Sequence, residues 1–447
     1  MRTGPSCIAW AAVIGGLVAS AAWSTEISRV GSLMSQGRYA QAYAESLGWG
    51  PTASLRGDQA YLRAHAAYHA LALDDARQAA QRARFLGCES HSASWLPVSE
   101  IDRRVTAAER LFEKALYVSV SEGASGYTIF VSRAFELADH VMRHAAAAYQ
   151  EASKLAYGAA SCPASLPPLR IYLFRSNHDA RSFLSVLGLH APTTGSAASL
   201  GIGVLLWQES GGRPSYPSPY SCGAVLAHEV LHVFQRFRGV EGAPQWLTEG
   251  TAQIAEDLVD PNHRIQTMAG AIRACESHPQ ALAWSLSNAE HSGFELYPVH
   301  YLLALTVMET YGPRALGALM ARTSTRPQEP LTEALWTTLR TTPEALVSRA
   351  QELLASEEAA RALVELSRLD PGSEDAAHGF HGASERWPGE PYLAYVAARS
   401  LAHVGRCMEA TALLSRLEDC GYRGCVDGTT DDLRKLLEGR SVNDRSD

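Results

Sequence analysis

The chain has 447 residues, 46% apolar and 19% charged, with a formal net charge of −8. That size excludes one ordinary core and that composition excludes a disordered chain, so two or three ordered domains are expected. No segment interleaves Lys and Arg with aromatics, which excludes nucleic acid as a partner; the mild acidity serves solubility and names no substrate.

Met1-Arg2 opens with a positive charge, and Cys7 to Ala22 (CIAWAAVIGGLVASAA) is apolar with many small residues. Ala22-Trp23-Ser24 and Ala19-Ser20-Ala21 each fit a small-x-small cleavage site. Residues 1–24 therefore read as a secretory signal peptide, and the protein as exported, periplasmic or extracellular. Left uncleaved, the run would act as an N-terminal anchor. No later stretch is long enough to span a membrane. Export permits disulfides. Of eight cysteines, Cys420 and Cys425 close a short loop holding two glycines, and the other pairings stay open.

Residues 25–115 read as helical and alanine-rich. GRYAQAY (37–43) and LALDDARQAA (71–80) each look like the turn and second helix of a hairpin, and Ala42 aligns with Ala76 at a spacing of 34. That period resembles about two degenerate tetratricopeptide units, with Ala64, Ala76 and Ala83 between the helices. A generic alanine-rich bundle fits the same residues.

Residues 116–355 change texture. YTIFV (127–131), PLRIYLF (168–174) and GIGVLLWQ (201–208) read as strands. A long amphipathic helix over about 132–157 and a helix N-capped by Ser176 separate them, with a Gly/Ser/Ala/Thr-rich loop before the third strand. Beyond the loop 211–221 everything reads as helix. Strands first and helices after argue for an α+β fold rather than a parallel sheet. Residues 356–437 return to tetratricopeptide-like helix pairs, and 438–447 read as a disordered tail.

The chemistry sits in VLAHEVLHVF (225–234). His228 and His232 are four residues apart on a helix, close enough to converge on one metal ion. Glu229 flanks them, where a carboxylate can take a proton from a water that the metal has acidified. Seventeen positions after His232, PQWLTEGTAQ (244–253) places Glu249 near the start of a second helix. Gly239, Gly242 and Pro244 break the chain between the two.

LAHEVLHVFQ followed by PQWLTEGTA resembles the gluzincin clan of zinc metallopeptidases, in particular its peptidase MA-like group, which pairs HExxH with WLxEGxA. The resemblance covers about 120–350. It implies a zincin-like domain in which His228, His232 and Glu249 bind one Zn2+ and Glu229 is the catalytic base. It makes Trp246 and Leu247 packing residues and Gly250 a point of close helix approach. The family usually carries an acid four residues after the ligand glutamate, accepting the N–H of a ligand imidazole, where this chain has Gln253; an amide can accept the same bond without the charge. Glu256 and Asp257 read as a solvated face. A Tyr at the start of the helix near 295–312 implies Tyr297 as the oxyanion donor, with His300 and Tyr301 as alternatives.

Together these readings give an exported zinc peptidase acting on a peptide or protein substrate. Its helical flanks would be a docking surface for a protein partner. The alternative is a zinc-binding scaffold with little activity, which the repeats and Gln253 favour and the intact Glu229 opposes. GIGVLLWQ is either the sheet edge to which an extended substrate adds or a central strand.

Overall fold

The computed structural model describes residues 25–89, 95–112, 114–118, 126–131, 138–157, 167–189, 197–207, 219–240, 242–260, 262–287, 296–422, 424–425 and 428–443. The signal-peptide reading of 1–24 falls outside them. The fold is mostly helical with a small mixed sheet, an α+β arrangement.

Helices α1 (25–35), α2 (Tyr39–Leu47), α3 (Gly57–His69), α4 (Leu73–Phe85) and α5 (Val98–Glu109) open the chain. The alanines Ala42, Ala64, Ala76 and Ala83 are fully buried. Small side chains let the helices approach one another closely. His65 of α3 is also buried, at 1% exposure, and its Nε2–H donates to the Leu96 carbonyl at 2.8 Å. Burial lowers its pKa to about 4. The unfolded chain therefore binds a proton near pH 6.5 that the folded chain refuses until about pH 4. Stability is complete above pH 6.5 and falls as the pH drops through that window, by about 3 kcal/mol from this group. Urea titrations from pH 7 to 4 should show His65→Gln losing less stability over that window than the wild type.

The sheet follows. Its strands are β1 (Lys114–Val118), β2 (Tyr127–Val131), β3 (Leu169–Phe174), β4 (Ala197–Leu200) and β5 (Gly203–Trp207), in the spatial order β1-β2-β3-β5-β4. Helix α6 (Ala138–Tyr157) joins β2 to β3, and α7 (Asn177–Leu187), N-capped by Ser176, follows β3. β2, β3 and β5 run parallel, with β1 and β4 antiparallel at the edges. The parallel centre departs from the sequence expectation. Strand, helix, strand, helix, strand is itself a crossover pattern, and it outweighs the all-helical stretch that comes later.

Two further expectations change here. Residues 197–200 form an edge strand rather than loop, because they fold back on β5 through Gly201 and Ile202. Gly201 has φ +60°, and a Cβ there would lie 2.3 Å from Ala70 Cα, so the turn requires glycine. GIGVLLWQ is thus an interior strand, β5, and β4 holds the edge.

Both faces of the sheet are covered. Ile171, Leu173, Val204 and Leu206 face a core shared with α6 and α8 (Pro219–Arg238). Tyr172, Phe174, Leu205 and Trp207 face a core shared with α1–α5 and α7. Double-sided burial explains why these strands read as nearly continuous apolar runs.

The remaining helices are α9 (Gln245–Val259), α10 (His263–Ser277), α11 (Ala281–Ser287), α12 (Tyr297–Tyr311), α13 (Pro313–Thr325), α14 (Leu331–Leu339) and α15 (Pro343–Ser356). They continue as α16 (Glu358–Leu366), α17 (Glu374–Arg386), α18 (Pro391–His403), α19 (Cys407–Asp419) and α20 (Thr430–Asn443), with a two-strand β6 (Gly424–Cys425) and β7 (Gly428–Thr429) before the last. One core runs from Val240 to Leu437 through them. Residues 438–443, expected in a disordered tail, are the last turns of α20. Cys88, Cys275, Cys407 and Cys420 are free thiols, and Cys420 donates to the Leu417 carbonyl at 3.1 Å rather than closing the loop to Cys425. No helix among the described residues is long and apolar enough to cross a membrane.

Candidate metal centre

Helix α8 has two faces. Leu226, Ala227, Val230, Leu231, Val233 and Phe234 are buried under the sheet, which fixes the helix against the strands. His228 and His232 occupy the other side. The chain leaves α8 at Gly239 (φ +65°) and re-enters helix after Pro244, so α9 packs back along α8. Glu249 lies in the second turn of α9. Gly250 beside it is pressed against α12, where an added Cβ would lie 2.2 Å from the His300 carbonyl oxygen.

His228 Nε2 and His232 Nε2 are 3.0 Å apart, and Glu249 Oε2 is 3.3 Å from each. Ligand atoms about 2.0–2.2 Å from a tetrahedral zinc are roughly 3.3–3.5 Å from one another. The three atoms thus form a triangle close to one face of such a tetrahedron, and the group could hold a metal ion.

The hydrogen bonds behind the ligands support this. His228 Nδ1 meets Glu256 Oε1 at 2.5 Å. His232 Nδ1 meets Gln235 Oε1 at 2.8 Å, while the Gln235 amide nitrogen donates to Thr248 O at 3.0 Å. The amide orientation is fixed by that second bond, so His232 must donate through Nδ1. With both Nδ1 protons donated, each Nε2 would present a lone pair once a metal takes the place of any proton there. Glu249 Oε2 is buried without a well-aligned hydrogen bond. Three electron-rich atoms then face one point, which a cation would satisfy.

The electrostatics agree. Burial would strip the proton from His228, but Glu256 and Glu249 outweigh it and raise its pKa well above the ordinary range. Burial would raise Glu249, but His228 and His232 hold it far below the usual carboxylate range. The site attracts positive charge, and a metal would take the place of the proton.

Glu256 is a correction to the solvated-face reading. It is only partly exposed, and it bridges His228 Nδ1 to His263 Nε2, the latter at 3.2 Å. Burial would raise its pKa, but His263 and His228 hold it far down, so it stays ionised. It supplies the carboxylate missing at position 253. Seven residues after Glu249, it lies two helical turns along the same face of α9. Asp257 is likewise turned inward, accepting from Tyr301 Oη at 2.8 Å. Gln253 instead donates to the Tyr297 carbonyl at 2.7 Å and ties α9 to the start of α12.

Of the three oxyanion candidates, Tyr297 is the one whose hydroxyl bonds Glu249; burial, then that carboxylate, raise its pKa. Tyr301 is turned toward Asp257 and stacks edge-on to His263. His300 is buried, and burial lowers it to about 4, so it is neutral. Trp246 and Leu247 are fully buried packing residues.

The sequence reading passes over Gln235 and His263 and places Glu256 on a solvated face. The available signals were helical spacing alone, three residues after His232 and seven after Glu249. Glu256→Ala should weaken metal binding roughly 10–100-fold, measured with added zinc in competition with a chromophoric chelator. Gln253→Ala, which touches no ligand, should weaken it less; the reverse order would return the supporting role to position 253. The chain matches no family model and no curated protein.

Proposed function

We propose that this chain is an exported zinc metallopeptidase of the gluzincin, peptidase MA-like type. The observation that carries the proposal is the convergence of His228 Nε2, His232 Nε2 and Glu249 Oε2 at 3.0–3.3 Å, with Glu229 on the same helix. Two imidazoles and one carboxylate suit zinc better than magnesium or calcium, and three protein ligands leave a coordination position open, as catalytic sites do. Zinc, when bound, polarises a carbonyl and acidifies water.

The chain's own residues do the rest. Glu229 takes the proton of the attacking water and passes it to the departing amine. Tyr297, whose hydroxyl donates to Glu249 here, would release that carboxylate to donate to the oxygen that becomes negative. Glu256 and Gln235 hold the imidazoles in the tautomer that presents Nε2. Export rests on the apolar run Cys7–Ala22 after Arg2. The scaffold reading drew on Gln253; an ionised Glu256 on His228 supplies that charge and supports the enzyme.

Purified protein should carry about one zinc per chain and cleave members of a peptide library in a chelator-sensitive way. Protein that holds zinc yet cleaves no peptide would replace the enzyme with the scaffold. A stably folded protein that takes up no metal would end both.

A further inference from the structure

Behind each metal-facing imidazole runs a short chain of hydrogen bonds, and the two chains end differently. Behind His232, Nδ1 donates to Gln235 Oε1 at 2.8 Å, and Gln235 ends on the Thr248 backbone carbonyl at 3.0 Å. Behind His228, Nδ1 donates to Glu256 Oε1 at 2.5 Å, and Glu256 Oε2 accepts from His263 Nε2 at 3.2 Å. The first chain closes on the main chain of α9, the helix that carries Glu249. The second closes on a side chain of another helix, α10.

That ending decides how Glu256 is held. A glutamate side chain turns about several bonds, and a helix leaves more than one of its rotamers open. Among the described residues, the Glu256 carboxylate bonds the two imidazoles and no other side chain. Without His263 it would be held by His228 alone, which is the ligand it has to orient. An acceptor can orient a metal ligand only if something other than that ligand fixes the acceptor.

His263 is itself well fixed, with its side chain 15% exposed. The turn before α10 is tied by Asp260, whose Oδ1 accepts from Asn262 N and Nδ2 at 2.9 and 2.8 Å and whose carbonyl accepts from His263 N at 3.0 Å. The ring stands edge-on to Tyr301, with centroids 5.7 Å apart, and the Thr267 hydroxyl lies 3.2 Å from Nε2. The next residue, Arg264, pairs with Glu309 of α12 at 2.9 Å and with Glu357, between α15 and α16, at 2.6 Å. The first turn of α10 is thus anchored on several sides, and its imidazole meets Glu256 from a rigid base.

We infer that His263 is a positioning residue of the metal centre. It fixes the Glu256 carboxylate in the orientation that serves His228, and so acts on metal affinity without touching the metal or its ligands. The inference rests on the reading of His228, His232 and Glu249 as the metal set.

The test compares the full chain with His263→Phe, His263→Gln, Glu256→Ala and the double variant Glu256→Ala/His263→Phe. Zinc affinity is measured in competition with a chromophoric chelator, and the visible spectrum of the Co2+-loaded protein reports the geometry at the ligands. His263→Phe keeps a ring against Tyr301 and loses the donor. It should weaken zinc binding roughly 3–10-fold, less than the loss of Glu256 itself, and shift the Co2+ bands. His263→Gln offers an amide N–H to Glu256 in place of the imidazole and should return the affinity to within about twofold of the wild type. In the Glu256→Ala background, His263→Phe should change the affinity by less than about twofold, because the residue through which it acts is gone. If the larger ring prevents folding, His263→Ala removes the same donor and takes its place in both backgrounds. Equal weakening in the two backgrounds would make His263 a general structural residue and overturn the inference. So would an unchanged affinity on loss of the donor, or a glutamine variant no better than the phenylalanine one. A wild-type chain that takes up no metal ends the metal-centre reading and the inference together. Zinc-loaded wild type that cleaves no peptide ends the peptidase reading and leaves the inference standing on the affinities.

Discussion

Glu229→Gln should retain about one zinc per chain and lose hydrolysis by on the order of 10²–10⁴-fold. The substitution keeps the side chain's size and its place on α8. The three atoms that converge belong to His228, His232 and Glu249, so the metal set is untouched. What disappears is a group able to take a proton and give it back. Metal content by emission spectroscopy and kcat/KM on one cleaved peptide decide the matter together. A variant that keeps zinc and the wild-type rate would remove Glu229 from the mechanism. A variant that loses the zinc would make it part of the metal set instead.

Gly250→Ala should destabilise the protein by roughly 1–3 kcal/mol or more and weaken metal binding with it. A Cβ at 250 would lie 2.2 Å from the His300 carbonyl oxygen and 2.7 Å from the His300 carbonyl carbon. Both are backbone atoms of α12, which cannot swing aside as a side chain can, so α9 must move and carry Glu249 with it. The matched control is Gly382→Ala in α17, where nothing lies within 4 Å of the added carbon. There alanine should stabilise, by about 0.5–1 kcal/mol. Urea denaturation of the two variants gives the comparison; equal behaviour would mean that α9 and α12 are not in the contact that Gly250 provides.

The motif was legible because its geometry is local. Four residues of spacing places His228 over His232 whatever the rest of the chain does. Glu249 was legible through the helix-breaking glycines and proline that let α9 turn back, and Gly250 through its place in WLTEG. Glu256 was not, because its partners lie on α8 and α10, 28 residues before it for His228, and nothing local says which acidic residue of a mixed polar and apolar helix points inward. The sheet shows the same limit. Three strands could be read from β-rich apolar runs, but their order depends on pairing between distant segments. The four-residue β4 has no pattern of its own and becomes a strand only because β5 is there to pair with it.

Tyr172, Phe174, Leu205 and Trp207 project toward the N-terminal helices, while their neighbours on the same strands project toward α8. The motif-bearing segment is therefore not a separable catalytic module. Cut away residues 25–109 and one side of the strands that carry α8 would be left wet, greasy and prone to stick to its like. Melting of the helices at the front of the chain and loss of the metal ligands should then be one event, seen as a single cooperative transition. Evolution could not easily trade this N-terminal region for another without also redesigning the sheet's outer surface, which binds its history to that of the candidate metal site.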